Sequence, residues 1–537
     1  MSQQTFDYIV VGAGAAGCVI ASRLSEDAKT SVCLLEAGPP DHSILIRAPA
    51  GVVAMVPTRL NNYAYETVPQ HGLGGRRGYQ PRGKVLGGSS SINAMLYVRG
   101  HRWDYDHWAE LGNAGWSYDE VLPFFRRSEN NERFGPDNFH GRGGPLNVAD
   151  LRSPSPINQA FLQAAANQGV SRNEDYNGAE QFGSFHYQVT QKNGERCSAA
   201  SAYLTPHRSR PNLHVETGTV ASRICFDESR AVGVEFLKGG QLHAVRARRE
   251  VIVCGGTFGS PQLLMLSGIG PAHALQRHGI PVLHHLPGVG QNLQDHIDYV
   301  QAWLARSDTP TFGISPRGIG QVAKAIFEWR RHRTGLITSP FAESGAFARS
   351  RSDVAVPDLQ LIFAVAIVDD HARKMHLGHG FSCHVSVLRP KSRGSVTLAS
   401  RDPRAAPVID PAFFSHPDDM ALMLKGAHLM QSILGDPALA PYRGRRMLYP
   451  VRPSDEAHLE ADIRQRSDSQ YHPVGTCKMG PAHDTDAVVD AKLRVHGVSG
   501  LRVADASIMP TLVGGNTSAP AVMIGEKAAV MIRTDGA

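Results

Sequence analysis

The sequence predicts an α/β fold built around a parallel sheet, and three stretches carry that prediction. Phe6-Asp-Tyr-Ile-Val-Val11 is an apolar run that leads into Gly12-Ala-Gly-Ala-Ala-Gly17 and then a helix-like run, Cys18 to Leu24. Glu250-Val-Ile-Val-Cys-Gly255-Gly256 repeats strand into glycine turn in mid-chain, and Leu501-Arg-Val-Ala-Asp505 runs into an acid near the end. Short apolar runs of this kind, bounded by turns, suit strands covered on both faces, as parallel sheets require. Strand, glycine turn and helix in succession form the unit from which such sheets are built.

In the first unit each glycine has a separate reason. Gly12 permits the tight turn, Gly14 lets backbone approach a pyrophosphate, and Gly17 allows the helix to pack closely on the strand. The amides of Ala13, Ala15 and Ala16 then face the phosphates at a helix start. A second strand, Ser31 to Leu35, ends at Glu36, with Ala37 behind it. An acid about twenty residues beyond the glycines can accept both ribose hydroxyls of an adenosine and would repel a 2′-phosphate. The unit therefore points to FAD or NAD and away from NADP.

Later elements extend the pattern. Gly83-Lys-Val-Leu-Gly87-Gly88-Ser-Ser-Ser-Ile-Asn93 is a turn of small residues that can lie against a flat ring system or phosphates; a plain loop is its other reading. Ser260-Pro-Gln-Leu-Leu and Ser267-Gly-Ile-Gly270 follow the middle strand. Gly514-Gly-Asn516-Thr517-Ser-Ala-Pro520 opens a final helix, with Pro520 expected at its first position and capping residues before it.

Composition bounds the rest. A chain of 537 residues with 42% hydrophobic and 19% charged residues is an ordinary globular protein rather than a disordered or fibrous one. Its 54 glycines exceed the usual share of about 7%. With 55 basic against 49 acidic residues the net charge is +6, too mild for a nucleic-acid partner, although a weak attraction to an anionic membrane surface stays open. Seven cysteines, none in Cys-x-x-Cys, argue against a disulfide scaffold or structural zinc. No apolar stretch is long enough to span a bilayer, and strand-like sequence begins by Phe6, so a cytoplasmic protein is expected, at most peripheral at the inner face of the membrane.

Taken together, these stretches resemble the glucose-methanol-choline (GMC) flavin oxidoreductases. The resemblance runs through Gly83 to Asp106, Gly256 to Gly270, Leu286-Pro-Gly-Val-Gly-Gln-Asn-Leu-Gln-Asp-His296, Tyr471-His-Pro-Val-Gly-Thr-Cys-Lys-Met-Gly480 and the Asn516 segment. Within the family the chain is most similar to bacterial alkanol and polyethylene glycol dehydrogenases, and it is also similar to choline dehydrogenases. The resemblance implies a Rossmann-like FAD domain of the p-hydroxybenzoate-hydroxylase type, from residues 1–150, 196–300 and 485–537. Interleaved with it is an α+β substrate domain on an antiparallel sheet, from residues 151–195 and 301–484. Apolar runs at Asp358 to Val368 and Phe381 to Leu388 suit that sheet.

By the same resemblance, His472 occupies the position of the catalytic base and Asn516 that of the residue that hydrogen-bonds the substrate oxygen. A neutral histidine is a natural proton acceptor near neutral pH, and an amide can hold a developing alkoxide. Simple helix capping is the other reading of Asn516. Val220 is expected at the adenine, Asp505 and Ala506 near the pyrophosphate and ribityl chain, Gly87 and Gly88 in the flavin-side turn, and Asn93, Ala94 and Met95 beside the isoalloxazine. Thr517 to Ala519, at a helix start, would stabilise negative charge on reduced flavin. Ile92 stands where some relatives carry a histidine that tethers the cofactor, so non-covalent FAD is expected.

The expected reaction is oxidation of a primary alcohol to an aldehyde, with electrons passed to quinone or another carrier. A choline-type dehydrogenase and an oxygen-using oxidase are the near alternatives, and a hydroxynitrile lyase the distant one. Tyr63, Glu343 and Phe347 are candidate substrate contacts, either around a quaternary ammonium or along an alkyl chain. Asp369 to His379 has the residue types of a metal site, but its irregular spacing reads as a solvated loop, so no metal is expected. Cys477 reads as a packed thiol, and the serine run at Ser89 lacks the Gly-x-Ser-x-Gly elbow of hydrolases.

Overall fold

A computed structural model describes residues 4–306, 309–452 and 454–536. From Asp7 onward the strand Thr5–Val11 is buried at every position, and Val32–Glu36 is buried throughout. These lie at the centre of a seven-stranded sheet. Leu213–Thr217, Val32–Glu36, Thr5–Val11 and the end of Gln241–Val253 run parallel, and Leu501–Val503 adds a further parallel partner beside Val251 to Val253. The first part of Gln241–Val253 pairs antiparallel with Arg230–Lys238, which pairs in turn with Thr219–Asp227. One long strand thus belongs to both a parallel layer and a meander.

Helices Ala15–Leu24 and Ser518–Asp535 pack directly on each other. A Cβ on Gly525 would come within 2.9 Å of the Val19 Cβ and the Ala16 carbonyl, so the two helices approach backbone to backbone there. The chain's first helix and its last share one apolar core with the parallel strands. Pro520 is the third residue of the last helix, not its first, and Thr517 is the cap.

A second, eight-stranded sheet runs in the order Arg443–Leu448, Ile297–Ala305, Gly378–Val387, Leu359–Ala364, Ala342–Ala348, Gly183–His186, antiparallel along this path. Its strands alternate. Ile297, Tyr299, Leu361, Phe363, Cys383 and Val385 join a core with helices Ile157–Asn167, Pro417–Gly435 and Glu456–Arg466. Asp298, Ile362, Ala364 and His384 point the other way and line a cavity between the sheets. That period of two brings the second sheet to the site.

Candidate active site

The cavity, of about 690 Å³, begins at the glycine turn. Gly12 has φ +100°, and a Cβ there would collide with the Cys254 carbonyl. A Cβ on Gly17 would collide with the Gly12 carbonyl, which is how closely helix Ala15–Leu24 sits on its strand. Gly14 precedes that helix with no side-chain cap, so the first helical amides stay available to an anion. Glu36 accepts from the amides of Ala13 at 2.9 Å and Gly38 at 2.7 Å, and burial pushes its carboxyl up to about 7 against those two bonds. Asp505 accepts from the Gly256 amide at 2.8 Å, Ser260 Oγ at 2.6 Å and the Ser507 amide at 2.8 Å, tying the middle and final strand ends together.

At the other end of the cavity a line of hydrogen bonds sets the state of one imidazole. The Leu388 carbonyl lies 2.9 Å from His296 Nε2, and a carbonyl only accepts, so His296 carries its proton there. Burial pushes His296 down to about 4, which keeps it neutral and leaves its Nδ1 bare. His472 Nδ1, 2.9 Å away, must then donate to it. The remaining nitrogen, His472 Nε2, is left with a lone pair and receives the Asn516 amide NH at 3.0 Å. Asn516 Oδ1 accepts from Gln360 Nε2 at 3.1 Å, and Gln360 also reaches the Tyr187 hydroxyl at 3.0 Å.

Electrostatics keeps that imidazole neutral. His472 is held well below the ordinary histidine value, first by burial, then by His296 and the Arg82 guanidinium. Arg82 lines the cavity and donates to the Tyr471 carbonyl at 2.7 Å. The His472 amide is anchored on Asp295 Oδ1 at 2.9 Å, and Asp295 Oδ2 accepts from Ser469 at 2.5 Å and Gln80 at 3.2 Å. A neutral imidazole with an aimed lone pair beside an amide donor can take a proton from a hydroxyl and steady the oxygen left behind.

Family models for the two parts of the GMC oxidoreductases match residues 6–298 and 390–525. The chain belongs to the GMC oxidoreductases. It is 44% identical to an alcohol dehydrogenase [acceptor] of Pseudomonas putida, over 98% of this chain and 95% of that protein. It is also 44% identical to the mitochondrial choline dehydrogenase of Mus musculus, over 99% of this chain and 90% of that one. Among solved structures, pyridoxine 4-oxidase from Mesorbium loti superposes with a TM-score of 0.87 at 33% identity, covering 98% of each chain. A formate oxidase superposes at 0.91 with 27% identity, covering 100% of this chain and 99% of that one.

The cofactor of this GMC oxidoreductase is FAD, and the residues present fit it. A Cβ on Gly256 or Gly259 would meet nothing within 4 Å and one on Gly14 only the Cys254 carbonyl at 4.0 Å, so bare backbone faces open cavity where phosphates and a ribityl chain need close approach. Helix Ser518–Asp535 starts without a side-chain cap, and Thr517 and Ser518 line the cavity, leaving free amides for the electron-rich edge of a flavin.

Most of the residues singled out in the sequence meet in this space. Gly12, Gly14, Ala15, Ala16, Glu36, Ala37 and Val220 line it at one end, and Gly88, Asn93, Ala94, Met95, Asp505, Ala506 and Thr517 further along, with Tyr63, His472 and Asn516. Ala13, Gly17 and Gly87 stand behind the lining: the Gly87 amide donates to the Ala13 carbonyl at 2.8 Å. Two substrate candidates are corrected. A register shift between Ala342 and Ser344 turns Glu343 away from the cavity, where it accepts from the Ser155 amide, Asn158 and Ser339 as a structural group. Phe347 is fully buried in an aromatic cluster with Tyr176 and Phe185 and does not reach the cavity.

The stretch Asp369 to His379 is a solvated loop only in part: Arg373 to Met375 and Leu377 are exposed, while Asp369, His371 and His379 are buried. His371 lines the cavity, with Nδ1 2.7 Å from the Tyr471 hydroxyl and Nε2 3.1 Å from Asp468. His371, Asp370 and Asp468 place possible ligand atoms within 4.8 Å of one another, yet each carboxylate already carries an arginine, Arg373 on Asp370 and Arg76 on Asp468. Cys477 is buried, and burial pushes its thiol well up.

Sequence reasoning passed over His296, Gln360 and Asp298. His296 closes the Leu286 to His296 motif, which was a usable signal. Gln360 and Asp298 needed the parity of their strands, which a sequence shows only once one residue is known to face the site.

Proposed function

We propose that this enzyme oxidises a primary alcohol to an aldehyde with non-covalently bound FAD and passes the electrons to a quinone or another carrier. FAD supplies the hydride acceptor when bound. His472 takes the hydroxyl proton on Nε2, and Asn516 donates to the oxygen as negative charge develops there. The observation that carries the reading is the bonded line from Leu388 through His296 to His472, which leaves that one nitrogen basic and aimed at Asn516. Ile92 offers aliphatic carbon and no nucleophile, which supports a dissociable cofactor. The division of the chain into FAD residues 1–150, 196–300 and 485–537 and substrate residues 151–195 and 301–484 belongs to the same reading.

Phe341, Ile362, Ile367 and Val368 give the cavity an apolar wall suited to an alkyl chain. The name of the Pseudomonas putida relative supports such a substrate and an acceptor. One observation favours a second reading, a cationic choline-like alcohol. Asp298 lines the cavity, and its Oδ1 is buried without a partner, while Oδ2 lies 2.7 Å from His384 Nδ1.

Anaerobic mixing separates the readings. Bleaching of the flavin by alkanols but not by choline supports the first, and the reverse supports the second. Electron delivery to a quinone or dye with slow peroxide formation in air supports a dehydrogenase. His472→Ala is expected to slow bleaching about 10²–10⁴-fold while FAD stays bound; unchanged bleaching would remove His472 from the mechanism.

A further inference from the structure

The described surface exposes sixteen large hydrophobic side chains, and seven of them sit on two adjoining segments. On helix Pro316–His332 and the short strand before it these are Ile314, Ile319, Val322, Ile326 and Phe327; on the loop before strand Gly378–Val387 they are Met375 and Leu377. The two segments touch, because Ile314 bridges Leu377 and Gly313 pairs with His379. The most exposed of the sixteen are here: Leu377 at 82%, Met375 at 75%, Ile319 at 71% and Phe327 at 65%. A monomer gains nothing by showing water a clustered apolar face.

The helix is built for an interface. At 3.6 residues per turn, Ile319, Val322, Ala323, Ile326 and Phe327 form one stripe about 140° wide, while Gly318, Ala325 and Trp329 face the protein. Lys324 and Arg331 edge that stripe and Arg330 ends it, and none of the three has an acidic partner among the described residues. Lys374, also exposed and without an acidic partner among the described residues, stands beside Met375 in the loop. The helix's one acid, Glu328, is held by the Thr334 hydroxyl at 3.0 Å. Aliphatic and aromatic side chains flanked by cations that have no acidic partner among the described residues match a surface that is apolar beneath and anionic above.

We infer that the face formed by helix Pro316–His332 and the Arg373 to Leu377 loop docks on an anionic lipid bilayer. The protein lies on the surface and does not span it, and no helix among the described residues is long and apolar enough to cross a membrane. The chain leads directly from this face to the site, since Ile367, Val368, His371 and Ala372 line the cavity a few residues before the loop. Docking there brings the cavity wall next to the bilayer, where apolar alcohols and lipid-soluble acceptors concentrate. The inference stands apart from the choice of substrate, because lipid binding is read without turnover.

Flotation of the flavin-loaded protein with vesicles tests it. Binding to phosphatidylcholine vesicles containing phosphatidylglycerol is expected, weakened by salt and weaker still on phosphatidylcholine alone. The pair Ile319→Asp/Phe327→Asp and the pair Lys324→Glu/Arg331→Glu should each lower the bound fraction about tenfold or more. Flavin content and reduction of a soluble dye should stay unchanged in both. Absence of wild-type binding, equal binding to neutral vesicles, or unchanged binding by both variants would overturn the inference. So would light scattering that shows a lipid-free dimer dissolved by these same substitutions, since a second copy would then cover the face.

Discussion

His472 was legible in the sequence as one of 25 histidines only because of the motif around it. Its working state was not, since that depends on His296, 176 positions away, and on the Leu388 carbonyl. The pH consequence follows from the direction of its shift. Only the neutral imidazole accepts a proton, and burial, His296 and Arg82 all favour the neutral form. The value of kcat/KM should therefore be flat at neutral and alkaline pH on account of this group, falling only as pH drops through a value below 6.5. Arg82→Met removes a positive charge beside His472, so the acid limb should move upward; a limb that moves downward or stays put would contradict the role given to Arg82. His296→Ala removes the acceptor that fixes the tautomer and should slow flavin reduction on the order of 10–100-fold, with partial rescue in His296→Gln.

Among the elements, strand, glycine turn and helix were readable because their geometry is local. The structure puts distances on the separate roles that the motif suggests for the three glycines of the first turn. A Cβ on Gly17 meets the Gly12 carbonyl, so Gly17→Ala should disrupt the packing of helix on strand and lower the melting temperature even without cofactor. A Cβ on Gly14 meets only the Cys254 carbonyl at 4.0 Å, so Gly14→Ala should fold normally and lose flavin, a difference read by melting of the apoprotein against flavin content. Loops were less legible. Asp369 to His379 carries the polar composition of an exposed loop, yet His371 is buried because Asp468 and Tyr471, about a hundred residues later, close over it. The register shift that turns Glu343 aside is likewise invisible to periodicity, which predicts a face only for an unbroken strand.

Over the whole molecule, the start and end of the chain are locked together. Buried Glu526 on the last helix receives Arg23 Nη2 at 2.7 Å, Arg127 Nε at 3.3 Å and the Tyr203 hydroxyl at 2.8 Å. Glu526→Gln removes the counter-charge of Arg127 and one of the two carboxylates on Arg23, and should destabilise the fold by about 2–3 kcal/mol in urea unfolding. Glu26→Gln, in the partly exposed pairs with Arg23 and Arg533, should cost no more than about 1 kcal/mol. Equal losses would mean that the burial of Glu526 is not what gives the contact its weight.

The sequence by itself determined the fold class, the dinucleotide turn, the acid at Glu36 and the family, because each rests on neighbours within a few dozen residues or on motifs with a fixed order. Only the tertiary structure decided which imidazole nitrogen carries the lone pair, which strand face lines the cavity, and which apolar side chains stay uncovered. Those outcomes depend on desolvation and on partners from distant segments, and a side chain's surroundings exist only after both sheets have closed around one cavity.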